Sequence, residues 1–581
     1  MFGLNLSNRQ APGKNYKWVA LSNTTMGGFM AALDGSCVMI ALPAIFRGIK
    51  LDPLASASAG YVLWVLTGYT LVLACLVVTL GRIGDMFGRV RMYNLGFVIF
   101  SVASILLSLT WGTGSGGAMQ LIVFRAIQAV GGACLFANSS AILTDAFPAN
   151  QRGFALGINQ MSFIAGNLLG IVAGGLLAEV GWRWVFRVSV PVAVAGTVWA
   201  FLALREIGIR NKTKIDWLGN LTFAAGLAML LIGVTYGIQS HGMSAMSWNT
   251  PLVIGMLLGG VASLVLFVII EQHVEDPMFR MSLFRIRAFA AGNVAALLFA
   301  VASGGLGFMV TIWLQGIWLP LHGYNFEVTP FWAGIHMLPQ TAGFLLAGPM
   351  SGYLSDRFGS RRFTTGGMIL MAFAFGLLML LPVNFLYWQF ALVLALLGIS
   401  TGLFGTPNVA MVMNSVPPEN RGASSGMRVA FFNVGQPLSN GVFFSLMTVG
   451  LSATMPAAVY SSLTRNGITP AVASQLGHMP PLGYTLAALM GNNPMGSLLG
   501  PQLLGSLPTA TAQLLTSPSF FPQLVSAAFH HGLVIVLSFS VVVCLLAAGA
   551  SWLCGKRYVY GQQQSPVSMP IAETRQDKLQ G

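Results

Sequence analysis

The sequence predicts an all-helical polytopic membrane protein of fourteen spans: two related six-helix bundles with two further helices inserted between them. Three observations predict it. Only 8% of the 581 residues are charged while 55% are hydrophobic, and mean hydropathy is +0.74; a soluble globular chain carries about 25% charge. Fourteen apolar stretches can be marked off, each long enough, at about 20 residues, to cross a hydrocarbon core. A short motif that opens at Gly81 recurs from Gly352. The first observation excludes soluble, fibrous and disordered classes.

In chain order the spans cover residues 18–45, 59–80, 92–110, 118–143, 154–178, 185–204 and 217–238, then 251–270, 289–314, 328–351, 363–382, 385–407, 423–450 and 530–553. Lipid offers no partner for a backbone amide, so each must be a helix. Span 1 follows a polar segment, is far longer than a signal-peptide core and has no small-residue cleavage site behind it, so it is expected to stay in the mature chain. Pro382 divides spans 11 and 12. The connection 205–288 holds two extra spans with charged flanks. The expected organisation is therefore a cytoplasmic N-terminus 1–17, a first bundle 18–204, a linker 205–288, a second bundle 289–553 and a cytoplasmic tail 554–581, polar and disordered from about 558. Within the second bundle, residues 451–529 form a long external connection whose only formal charge is Arg465. A bare apolar loop of that length is unfavourable in water. Short interfacial helices or a hairpin resting on the outer mouth are expected, as a lid or as membrane-surface packing.

The net charge of +14 comes from 29 Lys and Arg against 15 Asp and Glu. With both termini cytoplasmic, all but seven of the cations fall on the cytoplasmic side, the seven being Arg47, Lys50, Arg125, Arg183, Arg187, Arg428 and Arg465. The excess is a topology signal, so no nucleic-acid partner is expected. Cys37, Cys75, Cys134, Cys544 and Cys554 lie in or beside apolar runs without C-x-x-C or His pairing, and read as reduced packing residues. No metal is expected.

Residues 81–91 read G-R-I-G-D-M-F-G-R-V-R and residues 352–362 read G-Y-L-S-D-R-F-G-S-R-R. A second landmark, Arg152-Gly153 with Gly157, repeats as Arg421-Gly422 with Gly426 at nearly the same offset. Two landmarks at nearly one offset mean parallel six-helix halves. In each copy a tight glycine turn can bring a carboxylate and guanidiniums to a helix end: Gly81, Arg82, Asp85, Gly88, Arg89 and Arg91 in the first, Gly352, Asp356, Arg357, Gly359, Arg361 and Arg362 in the second. Such a cluster can hold two bundles closed on the cytoplasmic side through charge pairs and helix dipoles. For Arg91 alone, a topology anchor explains as much.

These loops resemble the signature between the second and third helices of the major facilitator superfamily, repeated in the matching place of the second half. The six-two-six arrangement, with L-D-G-S-C-V-M-I-A-L-P at 33–43 and W-R-W-V-F at 182–186, resembles the superfamily's fourteen-helix drug:proton antiporter branch over residues 18–450 and span 14. The resemblance implies a central cavity between two bundles, alternating access and proton-driven export of small molecules from a cell membrane.

Asp34 is the only carboxylate well inside any span. A charge there costs about 2.5–3.5 kcal/mol on insertion scales and is by default a functional candidate; a carboxyl that binds and loses a proton is what proton coupling requires. The alternative is a permanent pair that merely fixes span 1. Arg125, in L-I-V-F-R-A-I-Q-A-V-G-G-A, resembles the family's membrane-embedded arginine motif. Lying at similar depth, it can clasp Asp34 and gate proton uptake, or it can bond backbone carbonyls and lend rigidity. Gly166, Gly170, Gly174 and Gly175 form a small-residue stripe in span 5 that permits close approach or bending. The stripe resembles the family's antiporter signature, departing from it where Asn167 and Ile171 replace prolines; packing alone would also account for it.

Candidate cavity residues are Trp64, Thr67, Tyr69, Gln128, Asn159, Gln160, Asn293, Gln315, His336, Gln340 and Asn433. Each could equally be an interhelical hydrogen-bond partner. The second bundle has no embedded carboxylate, so monovalent lipophilic cations or neutral amphiphiles fit better than dications. Gly112, Gly114 and Gly117 satisfy G-x-G-x-x-G without a preceding strand, and Gly398, Ser400 and Gly402 satisfy G-x-S-x-G inside a helix; neither context supports the chemistry. With no acid, base and nucleophile cluster, no enzyme activity and no cofactor are expected. The expectation is a monomeric carrier in a prokaryotic cytoplasmic membrane, exporting lipophilic or cationic small molecules against protons. The rival is a carrier of the same fold for a lipid, metabolite or nutrient.

Overall fold

The computed structural model describes residues 15–52, 58–148, 151–207, 216–238, 247–275, 277, 279–417, 421–478, 481–491 and 493–554. The first bundle comprises α1 (Tyr16–Gly48), α2 (Ser58–Phe87), α3 (Arg89–Ser108), α4 (Gly114–Ala146), α5 (Arg152–Val180) and a sixth crossing made of α6 (Trp184–Arg187) and α7 (Ser189–Ala203). The inserted pair is α8 (Trp217–Ile238) and α9 (Pro251–His273). A crossing built from α10 (Arg287–Ser303), α11 (Leu306–Thr311), a π-helical segment Ile312–Trp318 and α12 (Leu319–Leu321) opens the second bundle. It continues through α13 (Thr329–His336), α14 (Leu338–Phe358), α15 (Ser360–Leu380), α16 (Tyr387–Asn414) and α17 (Arg421–Arg465). Four short helices follow, α18 (Pro470–Gly477), α19 (Pro481–Leu489), α20 (Met495–Ser506) and α21 (Thr509–Thr516), and α22 (Phe520–Leu553) closes the chain. Of the polar N-terminus expected over 1–17, residues 1–14 lie outside the described residues while Tyr16 and Lys17 already belong to α1; the tail expected to be disordered from about 558 also lies outside them.

Thirteen helices among the described residues are long and apolar enough to cross a membrane. The fourteenth crossing is α13 with α14, interrupted at Met337. Pro339 in the first turn of α14 has no amide hydrogen to continue the ladder, which ends one helix and starts the next. The predicted break between spans 11 and 12 is present, between Leu380 and Tyr387. The end carrying residues 81–91 and 352–362 is called the basic end below, the opposite one the far end.

The largest departure from the sequence-based boundaries lies at the far end. α17 runs on to Arg465 rather than stopping at 450, and α22 starts at Phe520, so the far-end connection is 466–519 and largely helical among the described residues. A window set to the length of an apolar span cannot detect the extension, because beyond 450 the pattern becomes amphipathic. Leu451, Met455, Val459 and Leu463, spaced by four, are fully buried, the stripe expected of a helix lying on a packed surface. α19 is buried too: Tyr484 and Leu486 through Met490 are at most 2% exposed. Its C-terminal end abuts the π-helical segment, where a side chain at Gly316 would meet the Leu489 backbone, and Tyr484 Oη donates to Leu476 O at 2.6 Å.

Among the described residues the bundles meet at the far end and along one side. At the far end α5 packs on α13 and α14, and Gln315 Nε2 donates to Ile40 O of α1 at 2.9 Å. Along the side α2 packs on α17, with α8 lying against both. There Leu71 and Cys75 of α2, Phe223 and Leu227 of α8, and Met427 and Ala430 of α17 share one apolar cluster. The inserted pair therefore covers one seam between the halves.

Candidate functional site

α1 and α4 cross with their polar groups facing inward. Asp34 is 0% and Arg125 3% exposed. Arg125 Nη1 donates to Asp34 Oδ2 at 2.5 Å and to Gln128 Oε1 at 2.7 Å; Gln128 Nε2 donates to Asp34 Oδ1 and to Ser104 Oγ, each at 3.0 Å. Gln128 stands one turn beyond Arg125 on α4, which lets one helix face supply both partners. Both carboxylate oxygens are thereby bonded. The Arg125 guanidinium lies 4.5 Å from the Tyr69 ring centroid, a cation–π contact. Arg125 Nε and Tyr69 Oη lack a partner, so the network has unused donor capacity. Asp34 stands near the middle of α1 and Arg125 about a third of the way along α4 from its far end, so several helical turns separate the pair from either end of the bundle. Of the two readings open for each residue in the sequence, the geometry joins Asp34 and Arg125 in one pair.

The glycines of α5 divide in two. Gly166, Gly170 and Gly174 face α1: an added methyl would meet Phe29 O at Gly166, Leu33 O at 2.5 Å at Gly170 and Cys37 Cα at 2.7 Å at Gly174. The α1–α5 seam is thus a backbone-to-backbone approach that holds the segment bearing Asp34. Gly175 faces the other way and would meet the backbone of Phe331 in α13. It belongs to the contact between bundles.

At the basic end, Arg89 donates from Nε to Asp85 Oδ1 and from Nη1 to Asp145 Oδ1, both at 2.7 Å. Gly88 sits at φ +120° and Gly359 at φ +87°, the conformations that make glycine necessary in both copies of the turn. The Glu206 carboxylate accepts from the amides of Arg89 (3.0 Å) and Val90 (3.2 Å), satisfying orphan donors at the start of α3 and complementing its dipole. Both Arg89 ion pairs stay within the first bundle. Arg82 bonds Pro277 O in the segment after α9, Gly81 lies near Ala137, and Arg91 is exposed. In the second copy Arg357 packs over Tyr353 (4.8 Å) and Arg361 over Trp552 (3.8 Å). Arg362 is exposed, Gly352 lies against Thr406, and the Asp356 side chain is outside the described residues. Because the Arg89 pairs are part-exposed, Arg89→Ala is expected to cost only about 1 kcal/mol of stability while speeding amide exchange in the first turn of α3 several-fold. Unchanged exchange there would show that the pairs do not fix the turn.

The proposed cavity residues are scattered. Trp64 is part-buried and Thr67 bonds back to Leu63 O. Asn159 donates to Ser139 Oγ (3.2 Å), Asn293 to Phe289 O (2.9 Å), and His336 Nδ1 contacts Trp332 O (2.6 Å). Gln340 and Asn433 are part-buried, and the Gln160 side chain is outside the described residues. Gln315 serves the contact between bundles described above, its Oε1 unpartnered. Sequence reasoning missed Ser104, Asp145 and Glu206. Ser104 has no signal beyond being a serine in an apolar run. Asp145 and Glu206 stand at or just beyond the basic ends of α4 and α7, where a carboxylate among many cations was the available cue.

Two related bundles, packed together at the far end and along one side, with a charged pair enclosed in the first, define a polytopic membrane transporter of small molecules. The chain belongs to the Major Facilitator Superfamily, whose family profile matches residues 24–440. It is 28% identical over 442 residues to riboflavin transporter RibZ of Clostridioides difficile, covering 75% of this chain and 89% of that one. It is 28% identical over 474 residues to the tetracenomycin C resistance and export protein of Streptomyces glaucescens, covering 80% and 83%. It is 29% identical over 444 residues to multidrug resistance protein Stp of Mycobacterium tuberculosis, covering 75% and 77%. Among solved structures, a bacterial homolog of the human lysosomal transporter Spinster, inward-facing and unoccupied, superposes with a TM-score of 0.57 at 17% identity, covering 94% of this chain and 100% of that one.

Proposed function

We propose that the chain exports lipophilic or cationic small molecules from the cytoplasm in exchange for protons, by alternating access, as a monomer of the cytoplasmic membrane with both termini inside and without enzymatic activity. The observation that carries the reading is the enclosed Asp34–Arg125–Gln128–Ser104 network. An acid held by a cation and an amide can trade its cation for a proton when the bundles rearrange, which links protonation to the choice of state. The basic-end loops hold the first bundle's helix ends in register while this happens. One proton moving down about 150 mV supplies about 3.5 kcal/mol, two to three decades of concentration ratio.

The test is efflux of ethidium from efflux-deficient cells expressing the chain, with and without a protonophore. Export that the protonophore stops supports the reading; export that survives it removes proton coupling. The likeness to a riboflavin transporter favours a second reading, a carrier of the same fold for a metabolite. Absence of dye export, together with saturable flavin transport, would establish that one instead.

A further inference from the structure

Three aromatic rings mark one level inside the second bundle. Phe299 of α10 stacks on Phe404 of α16, centroids 4.8 Å apart at 22°, and on Phe432 of α17, 6.3 Å apart at 21°. One helical turn nearer the basic end, the same helix faces carry Ala295 on α10, Asn408 on α16 and Arg428 on α17. Asn408 Nδ2 donates to Gly292 O at 3.0 Å and Asn293 Nδ2 to Phe289 O, which turns each amide so that its oxygen is free. Both oxygens are unpartnered although Asn408 is 1% and Asn293 0% exposed. Arg428 stands two turns inside α17. It is part-buried and has neither a hydrogen bond nor an ion pair among the described residues. Its neighbours Met427 and Val429 pack into separate apolar clusters, one reaching α8 and α10, the other α2 and α4. The guanidinium is therefore not an anchor at a lipid-facing helix end.

A cation kept in a membrane interior calls for a partner, and Asp34, the acid that could serve, is committed to Arg125. We propose that this layer binds the acidic group of an aromatic organic anion. The anion accepts from Arg428, a ligand hydroxyl donates to Asn408 Oδ1, and the ligand's ring lies against the Phe432 stack. The site rests on the export reading and widens it: beside the cations and neutral amphiphiles expected from the sequence, the transporter takes planar aromatic acids.

The probe is 6-hydroxy-2-naphthalenesulfonate, permanently charged, measured beside ethidium in proteoliposomes of the full chain under an imposed pH gradient. Wild type is expected to move both, and to move the neutral sulfonamide analogue more slowly than the sulfonate. Loss of a charge-assisted hydrogen bond in Arg428→Gln is expected to lower the sulfonate-to-ethidium ratio roughly tenfold or more, with Arg428→Lys intermediate. Asn408→Asp, which sets a like charge against the anion, should lower the ratio as well and covers the case in which Arg428→Gln fails to fold. An unchanged ratio in the variants, or a wild type that moves ethidium but not the sulfonate, overturns the proposal and leaves the export reading standing. A wild type that moves neither overturns both.

Discussion

Asp34→Asn is expected to abolish uphill export while leaving downhill equilibration of the same substrate. The asparagine keeps the volume and can still meet Gln128, but it cannot exchange a proton, so the two to three decades of accumulation that a proton could drive fall to none. The substitution also strands the Arg125 cation, which is 3% exposed, and breaking a buried pair by removing one partner costs about 3–5 kcal/mol. The double variant Asp34→Asn with Arg125→Gln removes both charges, and should recover much of that stability without recovering coupling. The measurement is ethidium accumulation against a gradient, beside counterflow of labelled substrate without one, in proteoliposomes of matched protein content. Loss of accumulation with retained counterflow supports proton coupling at Asp34. Full accumulation by Asp34→Asn would mean the pair only fixes α1 to α4.

That pair was legible in the sequence because membrane energetics make intramembrane charge rare, so Asp34 and Arg125 stood out as single letters. Their orientation was not legible: nothing in the spacing says that Gln128 faces the same carboxylate, or that Ser104 closes the network from α3. The helix count and the six-two-six division followed from hydropathy and the repeated turn, whose glycines at 88 and 359 do take positive φ. Short helices in the far-end connection were expected from its apolar composition, but its boundaries escaped, because an amphipathic extension beyond residue 450 leaves a signal of period, not of mean hydropathy. The stack of Phe299, Phe404 and Phe432 escaped for another reason: three rings on three separate helices share no pattern along the chain.

The glycines of α5 looked like a single motif, and the structure separates them by what a side chain would strike, which gives opposite expectations for neighbouring positions. A leucine at Gly170 would press on the α1 backbone at Leu33, next to Asp34, in every conformation of the bundle. Gly170→Leu is therefore expected to fold poorly, with a lowered melting temperature and low yield. A leucine at Gly175 would strike Phe331 across the far-end contact between bundles, and so only when that end is closed. Overpacking of about 1–3 kcal/mol acting on one state alone shifts the open-to-closed ratio by about one to two decades. Gly175→Leu should fold normally yet transport at least tenfold more slowly, resting with the far end open. A cysteine at Ala178, placed in a background lacking the five native cysteines, should then react faster with a membrane-impermeant maleimide than in the Gly175 parent. Normal transport by Gly175→Leu would mean that α5 and α13 need not touch for the cycle to run, and the far-end gate would have to be sought at the Gln315–Ile40 contact instead.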